Sequence, residues 1–221
     1  MSEGQAVRER YTFFIDAMSK AGNAEGAKAV YDKWAETYDQ DVMAPENQHY
    51  GRAFLVEALQ KMVTDKSVKI LDFAAGTGIV GQMVKQAGFN NIDALDCSNK
   101  CLEKAKEKHV YQNLMEETAG QRQLAINDRD TYDVLICSAG FGPNLLNQSV
   151  FSEWIRITKP GGYIFNSFRK QWLKLDPSLN DGKFEKEMQR LEDNYKWKLV
   201  GKEVQNGIDS KEALLFVHRI C

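Results

Sequence analysis

Three glycines and two acids carry the strongest chemical signal in this chain. Gly76-Thr77-Gly78-Ile79-Val80-Gly81 reads G-x-G-x-x-G and stands between an apolar run, VKILDF (68–73), and a helix-like IVGQMVKQAG (79–88). A strand, a glycine turn and a helix N-terminus in that order bring backbone N–H groups close to a bound nucleotide. Asp96 follows Gly76 by 20 residues, at the end of NIDALD (91–96), where a carboxylate can accept hydrogen bonds from ribose hydroxyls. Taken alone, this pattern points to NAD or NADP. Asp72, four residues before Gly76, points elsewhere. A pyrophosphate over the loop would be repelled by that carboxylate, and an unpaired buried charge is costly. A ligand bearing an ammonium and a sulfonium would be attracted. S-adenosylmethionine is such a ligand, with Asp72 serving its amino-acid end, directly or through loop geometry and water, and Asp96 its ribose.

The elements that must hold these residues are legible from periodicity. Three helical faces come first: Val7, Tyr11, Phe14, Ile15 and Met18; then Ala27, Val30, Tyr31, Trp34 and Tyr38, closing on the polar TYDQD; then Phe54, Leu55, Ala58, Leu59 and Met62. Strands and helices alternate afterwards. VKILDF, NIDALD, YDVLIC (132–137) and YIFNSF (163–168) read as buried strands, with a weak strand around 113–118. Ser98 is placed to cap a helix over CLEKAKEKH, and a turn is expected at KPGG (159–162). WKLVGKEV and ALLFVHRI have only the turn-rich NGIDSKE between them, so they should pair antiparallel. The expected fold is α/β: a Rossmann-like, mostly parallel sheet with an antiparallel C-terminal strand and helices on both faces. One domain is expected over 1–221, with a helical lid in 1–65 and the Rossmann-like core in 66–221.

Composition narrows the function classes. Lys plus Arg (29) nearly balances Asp plus Glu (31), which disfavours a duplex nucleic-acid binder needing a concentrated positive field. No run approaches the length of a membrane span, and the N-terminal residues lack the apolar stretch of a signal peptide. Cys97, Cys101, Cys137 and Cys221 form no metal-spaced set, so no metal site is expected, and a reducing, cytoplasmic setting fits them.

At ILDFAAGTG (70–78), IDALDCS (92–98), YDVLICSAG (132–140) and KPGGYIF (159–165) the chain resembles the class I S-adenosylmethionine-dependent methyltransferases. More narrowly, YDKWAETYDQDV (31–42), GTGIVGQMVKQAGF (76–89) and HVYQNL (109–114) resemble the methyltransferase-like family of the Williams–Beuren syndrome critical region. The resemblance implies S-adenosyl-L-methionine as cofactor and S-adenosyl-L-homocysteine as product. It implies contacts to the methionine end from Asp72, Ala74, Gly76, Thr77 and Gly78, with Asp96 on the ribose and Cys97 beside the adenine. Ser138 should lie beneath the methionyl part, and Trp34 and Tyr38 should fold over the cofactor. The chain departs from the family at Ala74, where glycine is usual; alanine adds a methyl group and disfavours positive φ, which the site tolerates if position 74 is extended.

Methyl transfer is an in-line displacement that needs positioning and exclusion of water, and a base only where the nucleophile arrives protonated. His49 is the histidine that could face the pocket; His109 and His218 read as structural, and no catalytic residue is assigned. Phe141, Asn144, Asn147, Arg169 and Trp172 follow strand C-termini, where open α/β sheets bind ligands, and Arg169 could hold a substrate carboxylate. The loop after YDVLIC reads SAGFGPN and carries no Asn- or Asp-Pro-Pro-aromatic motif, so a small-molecule acceptor is expected rather than a nucleic acid. The rival readings are an NAD(P)-dependent oxidoreductase and a cofactor-binding regulatory protein without turnover.

Overall fold

The computed structural model describes residues 3–47, 51–120, 122–126, 131–206 and 212–221. His49 and most of the turn before the last strand lie outside them. Among the described residues four α-helices precede the first strand: α1 (Glu3–Ser19), α2 (Ala24–Trp34), α3 (Tyr38–Met43) and α4 (Gly51–Met62). β1 (Ile70–Phe73), α5 (Ile79–Gln86), β2 (Ile92–Asp96), α6 (Asn99–Glu107), β3 (Leu114–Glu116) and β4 (Tyr132–Ser138) follow. The chain then forms α7 (Phe151–Ile157), β5 (Thr158–Arg169), a single-turn α8 (Trp172–Leu175), α9 (Lys183–Asp193), β6 (Trp197–Gln205) and β7 (Ala213–Ile220).

The sheet runs β3-β2-β1-β4-β5-β7-β6. Pairings from β3 to β5 are parallel, and β7 is antiparallel to both its neighbours. Strand order reverses between β1 and β4, so the loops after these two strands part and leave a crevice at their C-terminal ends. The central strands are apolar on both sides because helices cover both faces. Leu55, Leu59, Val84 and Phe89 pack with Ile70, Val134 and Phe165 on one side. Phe151, Trp154, Phe184 and Leu191 pack with Leu71, Leu135 and Phe168 on the other. Burying such side chains contributes about 1.5–3 kcal/mol each. Among the described residues no helix is long and apolar enough to cross a membrane.

Two elements differ from the sequence reading. TYDQD opens α3 instead of ending a helix. Its Asp41 is fully buried, accepting from Trp34 Nε1 at 2.8 Å and Thr37 Oγ1 at 3.1 Å and ion-paired with Arg10. A buried acid with these donors is indistinguishable from a solvated one in a periodicity count. The KPGG turn is absorbed into β5: Thr158 pairs with Tyr132 and Tyr163 with Val134, and the extra residues bulge where Gly161 takes φ +79°. Ser98 caps α6 as expected, its side chain accepting from Cys101 N–H.

Candidate cofactor site

The glycine loop is built by contacts from three directions. Asp96 Oδ2 accepts from Gly76 N–H at 2.8 Å, and Asp96 Oδ1 accepts from Ser98 N–H at 2.8 Å. The acid at the end of β2 therefore fixes the loop after β1, while each oxygen keeps a lone pair for another donor. Burial raises the Asp96 pKa, opposed by the backbone N–H groups of Ser98 and Gly76. A Cβ added to Gly76 would meet no atom within 4 Å, so the loop backbone is bare toward open space there.

The last two glycines of the motif have an internal cause. A Cβ at Gly81 would fall 2.1 Å from Tyr111 Oη, and one at Gly78 would fall 2.9 Å from Tyr111 Cε2. The ring of Tyr111 lies across the start of α5, and its hydroxyl donates to Asp72 Oδ2 at 2.6 Å. Asp72 is 1 % exposed. Burial pushes its pKa up to about 7, opposed by the Tyr111 hydrogen bond and helped upward by the charge of Asp96. Position 74 is not extended: Ala74 has φ +59°. The left-handed region costs an L-residue roughly 1–2 kcal/mol, which the turn into the glycine loop imposes.

A cavity of ≈ 270 Å³ opens at the crevice between β1 and β4. Ala74, Gly76, Thr77, Asp96 and Cys97 border it on one side, and Ser138 on the other. Tyr38 and Tyr31 reach it from the N-terminal helices. Three of the expected residues do not form its wall. Asp72 and Gly78 lie behind the loop. Trp34, 1 % exposed, packs within the N-terminal helices, stacked on Phe14 at 5.0 Å with Nε1 bonded to Asp41. Cys97 and Cys101 are both neutral thiols, burial pushing each up to about 12. Among the described residues no group of three His, Cys, Asp or Glu could hold a metal ion.

Arg52, at the start of α4, went unnoticed in the sequence because a single arginine beside an apolar helical face has no distinguishing spacing. It is 8 % exposed and borders the cavity, with Nη2 donating to Tyr38 Oη at 3.3 Å. Among the described residues no carboxylate pairs with it. Glu117 and Thr118, at the end of the weak strand expected around 113–118 but beyond the observed β3, and Ala119 and Gly120 after them also border the cavity.

The N-terminal helices are fastened over this cavity by charge. Thr77 Oγ1 donates to Asp39 Oδ1 at 2.5 Å, and Lys108 Nζ bridges Asp39 Oδ2 at 2.6 Å and the Thr77 carbonyl at 2.7 Å. Ser98 Oγ donates to Asp32 Oδ1 at 2.6 Å. A second cavity, of ≈ 330 Å³, lies beyond Tyr38 and shares Tyr31, Tyr38, Arg52, Ala139 and Leu145 with the first. Phe141, Arg169 and Trp172 border the second cavity, whereas Asn144 and Asn147 border the first. His109 ends α6 with φ +52°, and His218 is buried in β7, stacked on Trp197 at 4.0 Å, with its pKa pushed down to about 3 by burial.

Comparison with known proteins follows this geometry. Residues 70–162, from β1 into β5, match the methyltransferase domain family. Methyltransferase-like protein 27 of Homo sapiens is 31 % identical over 136 residues, which is 61 % of this chain and 54 % of that protein. The chain spans about half the length of the curated relatives it matches. A TehB-like S-adenosylmethionine-dependent methyltransferase from Corynebacterium glutamicum superposes with a TM-score of 0.58 at 18 % identity, covering 87 % of this chain and 99 % of that one. Magnesium protoporphyrin IX methyltransferase from Synechocystis, solved with bound S-adenosylmethionine, superposes with a TM-score of 0.56 at 13 % identity, covering 77 % and 79 %. At these identities the two structures establish a common fold.

Proposed function

We propose that the chain is a class I S-adenosylmethionine-dependent methyltransferase that binds S-adenosylmethionine in the first cavity and methylates a small-molecule acceptor; the match of residues 70–162 to the methyltransferase domain family and the shared fold support this. One observation carries this reading: a single cavity combines Asp96 on its loop, the buried cation Arg52 on its wall and the buried acid Asp72 behind it. The residues fit the cofactor's three polar parts. Asp96 has free lone pairs for the ribose hydroxyls. Arg52 matches a carboxylate, and Asp72 places negative charge where an ammonium would be favoured. A pyrophosphate has no use for that acid, so the oxidoreductase reading fits the site less well.

When bound, the cofactor supplies a methyl group on a sulfonium, already activated toward displacement. The chain's own residues supply order. The bare backbone at Gly76 lets the ligand approach closely, Cys97 flanks the adenine end, and Ser138, bonded to Ser167 Oγ at 3.0 Å, forms a fixed polar floor. Tyr38 stands between the two cavities as a neutral hydroxyl, its pKa raised by burial. Helices α1–α3 act as a lid that excludes water, held by Asp39, Thr77 and Lys108. Catalysis is then mainly positioning. Net charge −2 and the SAGFGPN loop favour a small-molecule acceptor over nucleic acid, and the four free cysteines suit a cytoplasmic setting.

The test is turnover. The protein is incubated with S-adenosylmethionine and fractionated small-metabolite pools, and S-adenosylhomocysteine release is measured by mass spectrometry. Release above the rate seen without acceptor supports the proposal. Tight binding with no release from any pool would leave a regulatory cofactor binder as the better reading.

A further inference from the structure

We propose that the second cavity is the acceptor site and that it selects a small aromatic or apolar molecule carrying a carboxylate, held by Arg169. This rests on the cofactor reading above, because the acceptor must lie against the cofactor cavity and the two share a wall. Six aromatic side chains give the chamber its character: Tyr11, Tyr31, Trp34 and Tyr38 from the N-terminal helices, Phe141 after β4, and Trp172 after β5. Rings of this kind favour a flat apolar body.

Charge sets the second requirement. Arg52 and Arg169 both border the chamber. Arg52 also borders the cofactor cavity and is assigned to the cofactor's carboxylate. Arg169, at the end of β5, does not border that cavity, so its charge is left for the acceptor. Its Nη2 donates to Tyr11 Oη at 2.6 Å, which orients the guanidinium without neutralising it. Among the described residues no carboxylate pairs with Arg169. The acid bordering the chamber, Asp16, is largely exposed and already held by Lys20 at 2.7 Å.

A guanidinium offers a planar fork of N–H donors that matches one carboxylate in bidentate fashion. Beside aromatic walls that charge is screened less than in water, so an incoming anion gains more from it. A single cation suits a monoanion; a dianionic phosphate would call for more than one. Because Arg169 stands off the cofactor cavity, the carboxylate is a handle, and the accepting atom faces the shared wall at Tyr38 and Ala139.

The experiment uses the full chain saturated with S-adenosylhomocysteine. Indole-3-acetate and phenylacetate are titrated against their primary amides, by calorimetry or ligand-observed NMR. The acids should bind about tenfold more tightly than the amides or better, and Arg169→Gln should erase that preference while S-adenosylhomocysteine affinity stays within about twofold. Equal binding of acid and amide, binding of neither, or a preference that survives Arg169→Gln overturns the proposal. Should Arg169→Gln not fold, Arg169→Met removes the charge while keeping an apolar stem; an unchanged preference there also overturns it. Failure to bind S-adenosylhomocysteine at all would instead sink the cofactor reading, so the two failures are told apart.

Discussion

Replacing Asp72 by Asn removes a charge that the ligand-free protein holds at a cost, and the cost depends on pH in a way that can be worked out. The carboxyl is 1 % exposed, and burial lifts its pKa to about 7 from 3.8. A folded-state pKa above the unfolded one means the folded protein binds the extra proton between those two values. Stability is then fully present below pH 3.8 and is lost as pH rises through about 7. At 1.36 kcal/mol per unit, a shift of about three units corresponds to at most about 4 kcal/mol above pH 7. Asn keeps an oxygen for the Tyr111 hydroxyl and carries no charge. Asp72→Asn should therefore match the wild type within about 1 kcal/mol at pH 4 and exceed it by about 2–4 kcal/mol at pH 8.5. The assay is urea unfolding of ligand-free protein at pH 4, 6, 7 and 8.5, read as the difference between the two proteins. A difference that does not change with pH would refute the reasoning, since Asp72 would then hold the same ionisation folded and unfolded. The variant should at the same time bind S-adenosylmethionine more weakly, because the acid that favours its ammonium is gone.

Three further perturbations follow from the same geometry. Asp96→Ala should weaken S-adenosylhomocysteine binding by about 1–3 kcal/mol in calorimetry through lost charge-assisted hydrogen bonds; unchanged affinity in a folded variant removes Asp96 from the ribose role. Ala74→Gly relieves a left-handed alanine and should raise unfolding stability by about 0.5–1 kcal/mol, the relief exceeding the entropy that glycine adds to the unfolded chain. A loss of stability would mean that the Ala74 methyl is held favourably. Lys108→Met unties Asp39 from the glycine loop and should speed cofactor release several-fold in stopped-flow, with less sensitivity to added salt than the wild type; an unchanged release rate would show that the lid does not depend on this latch.

Much of the fold was legible because its signals are local and repeated. Apolar runs at VKILDF and YDVLIC, the glycine turn between strand and helix, and the cap at Ser98 each act within a few residues. The candidate site was legible only where function leaves a local pattern, as at Gly76 and Asp96. Tyr111 and Arg52 escaped because their meaning is long-range. Tyr111 reaches Asp72 across 39 residues, and Gly78 and Gly81 are small to admit its ring, a reason invisible from their spacing. Trp34 was expected over the cofactor, together with Tyr38, from the family resemblance. The chain turns between α2 and α3; the two rings stay in edge contact at 4.8 Å, but Trp34 packs inside the lid while Tyr38 reaches the first cavity. Ala74 shows the opposite limit: residue type argued against positive φ, and the tertiary turn overrode it.

The crevice after β1 and β4 is proposed to hold an adenosyl amino acid, not a dinucleotide. Calorimetric titration of the full chain with S-adenosylmethionine, S-adenosylhomocysteine, NAD and NADP, side by side at pH 7, tests it most directly. Saturable 1:1 binding of both adenosyl ligands, weakened by Asp96→Ala, is expected, with no measurable binding of either dinucleotide. Tight binding of NAD or NADP with no response to either adenosyl ligand would contradict it.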